Sequence, residues 1–164
     1  MKNKFFIIQL FFILLFIPNL FGKNLEISST TVKLDKKESK VTFKGNIKAI
    51  DDNNNILKAD EANYSKNLDL LNSIGLTTII TSENYQLESN NVVFDNKNKI
   101  IKSDFPTKIL DPDGNVFFVN MFSYDSLKNI LFSKGNIKLE DKNNNIYKFN
   151  ELYINEREKK IIGS

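Results

Sequence analysis

Two pairs of adjacent carboxylates, Asp51-Asp52 and Asp60-Glu61, are the residues of this chain best suited to chemistry. Such a pair can share a proton as general acid and base, or offer hard oxygen ligands to a cation. Nothing in the sequence supports them in either role. The 164 residues include no His, no Cys and no Trp. That removes imidazole and thiolate nucleophiles and the metal sites built from them. Both pairs fall in polar segments that read as solvated turns or bends. No catalytic residue, metal site or cofactor is expected. The net charge is +3, and Lys2 and Lys4 account for two of it. Charges alternate along the chain without forming a basic block, so nucleic acid is not an expected partner.

The elements that hold these residues repeat. Shifted against itself by thirty residues, the chain brings its apolar positions into columns without a gap. One column is Ile27, Leu57, Leu87, Phe117, Tyr147, and a second is Val32, Ala62, Val92, Phe122, Leu152. A third is Leu34, Tyr64, Phe94, Tyr124, Ile154, and a fourth is Val41, Leu71, Ile101, Leu131, Ile161. Ala49, Ile79, Ile109 and Leu139 make a fifth, and Val119 and Phe149 fall thirty apart in the same register. The segments 44–64 and 134–154, three periods apart, are identical at 12 of 21 positions.

Two polar turn segments punctuate each period. Asp51–Asn55, Thr81–Tyr85, Asp111–Asn115 and Asp141–Asn145 form one set. Asp35–Ser39, Ser65–Asp69, Asp95–Lys99, Asp125–Asn129 and Asn155–Lys159 form the other. Asp, Asn, Gly and Pro suit turns because they tolerate left-handed backbone or preset φ. Between the turns, apolar and polar residues alternate with period two, as in a strand. Leu57 and Ala59 occupy odd positions, whereas Ala62 and Tyr64 occupy even ones. A one-residue phase change would turn the side chains outward unless a bulge absorbs it. A bulge or sharp bend is therefore expected near residues 60–61 and at the equivalent places, Asn90-Asn91, Asn120-Met121 and Asn150-Glu151. The fold class is all-β, with about ten antiparallel strands of roughly ten residues.

Residues 1–22 read as a signal peptide. Lys2 and Lys4 give a positive start, Phe5 to Ile17 an apolar run, Pro18-Asn19 a break, and Gly22 a small residue before a cut. The run is short of the ~20 residues that span a bilayer. An exported chain, with a single domain over residues 23–164, follows.

The segments Ala59-Asp60-Glu61-Ala62-Asn63-Tyr64 and Lys134-Gly135-Asn136-Ile137 resemble the OstA-like repeats of the lipopolysaccharide-transport family. That family includes the periplasmic bridge protein LptA and the N-terminal domain of the outer-membrane translocon LptD. The ending Lys159-Lys160-Ile161-Ile162-Gly163-Ser164 looks more like the LptD side. The resemblance covers about residues 25–164. It implies a twisted, partly open antiparallel β-jellyroll, and a non-enzymatic role in carrying lipopolysaccharide across the periplasm. Its partners would be lipid A, other β-jellyroll domains of the same type joined by edge-strand pairing, and the outer-membrane machinery. Whether the chain is a short bridge-type protein or a truncated translocon domain stays open.

The lipid-binding groove implied by this resemblance would draw its wall from inward strand positions. They are Leu57, Ala62, Tyr64, Leu87, Val92, Phe94, Phe117, Val119, Phe122, Tyr124, Phe149 and Leu152. Each is also an ordinary candidate for sandwich core. Lys44, Lys48, Lys134 and Lys138 flank the glycines and read as a solvated strand face that could meet lipid phosphates. A structural β-repeat of the cell envelope, solenoid-like or adhesin-like, shares the thirty-residue period. Two turns per period rather than three favour antiparallel strands over a parallel β-helix. If the aromatic columns line one interior, Phe94→Asp buries an unpaired charge. It should cost several kcal/mol, about 3 or more, in urea unfolding. A variant that unfolds like the parent would place Phe94 on the surface.

Overall fold

Each turn beginning with Asp at residue 51, 111 or 141 closes on its own side chain. Asp51 Oδ1 accepts the backbone N–H groups of Asn53 (2.9 Å) and Asn55 (2.8 Å), and Oδ2 accepts the Asn55 side-chain amide (2.9 Å). Asp111 repeats the triad with Asp113 and Asn115, and Asp141 with Asn143 and Asn145. The Asn145 amide holds the Asp141 carboxyl below its ordinary value. The fourth residue of these turns, Asn54, Asn84, Gly114 or Asn144, has φ between 64° and 89°, where Asn and Gly cost least.

The computed structural model describes residues 25–35 and 37–164. The signal-peptide expectation and position 36 of the first turn lie outside them. Among the described residues there is no helix, and every strand pairing is antiparallel. The strands are β1 (Glu26–Ser28), β2 (Thr31–Asp35), β3 (Lys40–Ile50), β4 (Ile56–Ser65), β5 (Leu70–Ile80), β6 (Gln86–Asn90) and β7 (Val93–Asp95). They continue as β8 (Ile100–Ser103), β9 (Thr107–Leu110), β10 (Val116–Val119), β11 (Phe122–Asp125), β12 (Ile130–Glu140), β13 (Ile146–Asn155) and β14 (Lys160–Gly163). There are fourteen rather than ten because four of the ten arms are split in two.

The splits and the bulges have one cause. Every arm up to β13 changes direction near its middle, and the local residue decides whether the ladder survives. Gly45, Gly75 and Gly135 sit at the bends of β3, β5 and β12 with φ of 76°, 77° and 106°, and those strands run through. The equivalent place in the remaining arm of this kind holds Phe105-Pro106; proline has no N–H to donate and its φ is fixed negative, and the arm breaks into β8 and β9. The phase change of β4 is a register shift between Ala59 and Glu61. The same place in the next two copies breaks the arm at Asn91, which has φ of 50°, and at Asn120-Met121. In the last copy β13 stays continuous and the irregularity lies in its partner, between Lys134 and Ile137.

Bending every arm at one level folds the sheet into two layers, each a meander in chain order. Layer A contains β1, the C-terminal half of β3, the N-terminal half of β4, the C-terminal half of β5, then β6, β9, β10, the C-terminal half of β12 and the N-terminal half of β13. Layer B contains the other halves together with β2, β7, β8, β11 and β14. Odd-numbered residues of layer A point between the layers, and so do the residues of layer B that follow the phase change. Each large side chain buried there contributes about 1.5–3 kcal/mol.

The Asp triads should matter in proportion to their burial. Asp111 is buried, while the neighbours of Asp141 are exposed. Asp111→Ala strands a buried turn and should cost about 1–3 kcal/mol in urea unfolding, and Asp141→Ala about 1 kcal/mol or less.

Candidate functional site

All twelve inward candidates come together between the layers. Leu57, Leu87, Phe117, Val119 and Phe149 stand on layer A. Ala62, Tyr64, Val92, Phe94, Phe122, Tyr124 and Leu152 face them from layer B or its edge at the bend. Ten are buried in one continuous apolar cluster, and Tyr64 and Phe149 pack against it half-buried. Burial raises the Tyr64 phenol to about 12, helped by the hydrogen bond it donates to Asp69 Oδ1 at 2.7 Å.

Each of the first four columns is covered in the middle of the chain and uncovered at one of its ends. In the first two, the central members Leu57, Leu87, Ala62 and Val92 are fully buried, yet Val32 is 58% exposed and Tyr147 45%. Leu34 and Ile161 are likewise exposed at the ends of the third and fourth columns. The layers are staggered, and the contacts between their turns measure it. Lys99 Nζ of layer B meets Asp52 Oδ1 of layer A at 2.8 Å. The Asn53 amide donates to the Ser126 carbonyl at 3.2 Å, and that of Asn129 to Glu83 Oε1 at 3.2 Å. The layer A turns at 51–55 and 81–85 thus meet layer B turns about 45 or 75 residues further along. Layer B overhangs at one end of the interior and layer A at the other. Among the described residues, β1 and β2 each pair only with β3, and β14 only with β13.

Two features were not read from the sequence. A serine column, Ser73, Ser103 and Ser133, lies inside at the bends, where the ladder loses its own bonds. These hydroxyls donate to the carbonyls of Val92, Asn90 and Met121 at 3.2, 2.7 and 2.7 Å. The thirty-residue spacing carried that signal. The second is Glu156, in a turn column that otherwise holds Lys36, Lys66, Asn96 and Ser126; it is 2% exposed, near Tyr124 and Thr81. Neither its oxygens nor the Tyr124 hydroxyl makes a well-formed hydrogen bond.

The carboxylate pairs form no reactive centre. Asp51 corrects the expectation of a solvated turn: it is buried, because the turns of the two layers close over each other. Its oxygens are saturated by its own turn, and Asp52 pairs with Lys99. Glu61 pairs with Lys44 at 3.3 Å, and Asp60 points to solvent. Among the described residues, no group of three or more acidic side chains could hold a metal ion.

No family model and no curated protein matches the sequence. Solved structures do match the fold. One is the crystal structure of LptH, the LptA homologous periplasmic component of the conserved lipopolysaccharide transport device from Pseudomonas aeruginosa. It superposes with a TM-score of 0.59 at 14% identity, over 71% of this chain and 86% of that one. The shared fold is all-β and antiparallel, of the jellyroll-like kind that the family resemblance implies.

Glu156 makes the closed seam sensitive to pH. Burial pushes its carboxyl up to about 7 from 4.5. The nearby Tyr124 and Thr81 hydroxyls offset part of this, and Glu83 adds to it. The folded chain therefore holds a proton that the unfolded chain releases. The resulting stability is complete below pH 4.5 and is lost as pH rises through about 7. Melting temperature should fall between pH 5 and pH 8, roughly the interval bracketed by the two values. Glu156→Gln should flatten that fall. An unchanged slope in the variant would assign the titration to another group.

Proposed function

We propose that this chain is a non-enzymatic carrier of lipopolysaccharide in the periplasm, holding the acyl chains of lipid A between its two layers. The observation that carries this reading is an apolar interior that is continuous and uncovered at both ends. An ordinary sandwich core is capped. Here the inward columns run out to Val32 and Leu34 at one end and to Tyr147 at the other, all exposed and all beside unpaired strand edges. The likeness in fold to the LptA homologue supports it, as does the resemblance of the repeat to OstA-like segments.

The physical chemistry is simple. Each methylene taken from water is worth about 0.8 kcal/mol, so an acyl chain enters only a wall that offers comparable burial. The inward columns offer it without side-chain charge. In the free protein they are packed on one another, so lipid enters by parting the layers, beginning from the uncovered ends. The bare edges β1, β2 and β14 are templates for strand pairing. Pairing there with domains of the same fold, in other envelope components or at the outer membrane, would extend the interior from one domain to the next.

Photo-crosslinking residues placed at Phe94 and Tyr147 test this in cells. Adducts with lipopolysaccharide are expected from both. None is expected from Phe132, which stacks on Tyr153 on the outer face of layer B (ring centroids 4.8 Å apart). Equal labelling from Phe132, or none from either interior position, would refute the interior route.

A further inference from the structure

The outer face of layer A carries a row of lysines that no stretch of sequence contains. The ladder aligns Lys48 with Lys58, Glu88 with Lys108, Lys108 with Phe118, Phe118 with Lys138, and Lys138 with Lys148. Thr78 joins the two halves, opposite both Lys58 and Glu88. One transverse row therefore holds five lysines and a single acid. All these lysines but the half-buried Lys138 are exposed. The row runs along two depressions, of about 880 and 380 Å³, that share Leu76.

Two of the alignments place lysine directly opposite lysine, which destabilises a sheet. The same strands avoid this four residues away, on layer B. There Lys44 faces Glu61 and Lys134 faces Glu151, each pair at 3.3 Å. Those two lysines of layer B are paired with acids, and the lysines opposite one another on layer A are not. Among the described residues, Lys48, Lys58, Lys108 and Lys148 make no ion pair, and Lys138 reaches Glu140 at 3.2 Å while lying 5.5 Å from the centre of the Phe118 ring. The row beside the lysines, toward the turns, is largely apolar: Ile50, Ile56, Ile80, Leu110, Val116 and Ile146. The acids on this face are Glu26, Asp60, Glu88 and Glu140, and they are fewer than the lysines.

We propose that the outer face of layer A docks on the surface of an anionic lipid bilayer. Lysines of the row meet lipid phosphates, and the exposed apolar side chains Leu76, Phe118 and Ile146 sit at the headgroup boundary. The inference is independent of what the interior carries, because the row faces away from it. Charge complementarity selects this occupant over another protein face of mixed charge.

The test is co-sedimentation of the exported chain with vesicles of phosphatidylglycerol and phosphatidylcholine, and with phosphatidylcholine alone. Each lysine near an anionic surface strengthens binding roughly five-fold. The double variant Lys58→Gln, Lys148→Gln relieves both like-charge pairs, so it should fold at least as well as the parent. It should bind the anionic vesicles about thirty-fold more weakly. The double variant Lys44→Gln, Lys134→Gln removes the same charge from layer B and should bind like the parent. An equal loss in both variants would reduce the effect to net charge and overturn the proposal. So would equal binding to neutral vesicles, or no binding at all. A layer A variant that shifts the sedimentation coefficient without changing vesicle binding would assign the face to a second copy, and would also overturn it.

Discussion

The first nine arms of this protein are each about ten residues long and serve two sheets, so each has to turn its apolar side inward twice, once on either side of a bend. A straight strand with period-two alternation cannot do this across a change of layer, because its inward side chains would emerge on the outside of the second sheet. An irregularity at the bend restores the inward direction. In β4 and its equivalents it is the change of phase between Ala59 and Ala62; in β3, β5 and β12, whose odd positions stay inward throughout, it is the extra residue beside the glycine that opposes it. The two layers follow from repeating a bend at the same level in arm after arm.

The cost of the bend is local and is met locally. Backbone carbonyls at the kinks accept from serine hydroxyls inside, and glycines take the left-handed backbone where the strand stays whole. Where Phe105-Pro106 replaces the glycine, the ladder breaks without losing the layers, since both halves remain paired with their neighbours. The bend is thus required and the continuity of the strand is not.

Because the layers are staggered, their turns interlock in the middle of the molecule and have nothing to interlock with at its ends. The middle is sealed by Lys99 with Asp52, by Asn53 with Ser126 and by the buried Glu156. The ends expose the same columns that the middle hides. An interior sealed along its length and open at its ends suits a chain of domains better than a solitary one. The proposed carrier role rests on that geometry.

Sequence by itself determined the thirty-residue period, the inward columns, the turns and the place of the bend. All of these depend on contacts within one or two strands, which chain neighbours specify. The positions it marked as inward, Tyr64 and Phe94 among them, lie between the layers. Tertiary structure alone decided which of those columns end uncovered, because that depends on the offset between two layers. It alone placed Asp51 and Glu156 in the seam, since turns 75 residues apart in sequence had first to meet. It alone gathered Lys48, Lys58, Lys108, Lys138 and Lys148 into one row. Read along the chain these lysines are scattered among acids and asparagines. A sheet adds up its charges across its strands, and that direction is invisible until the strands have paired.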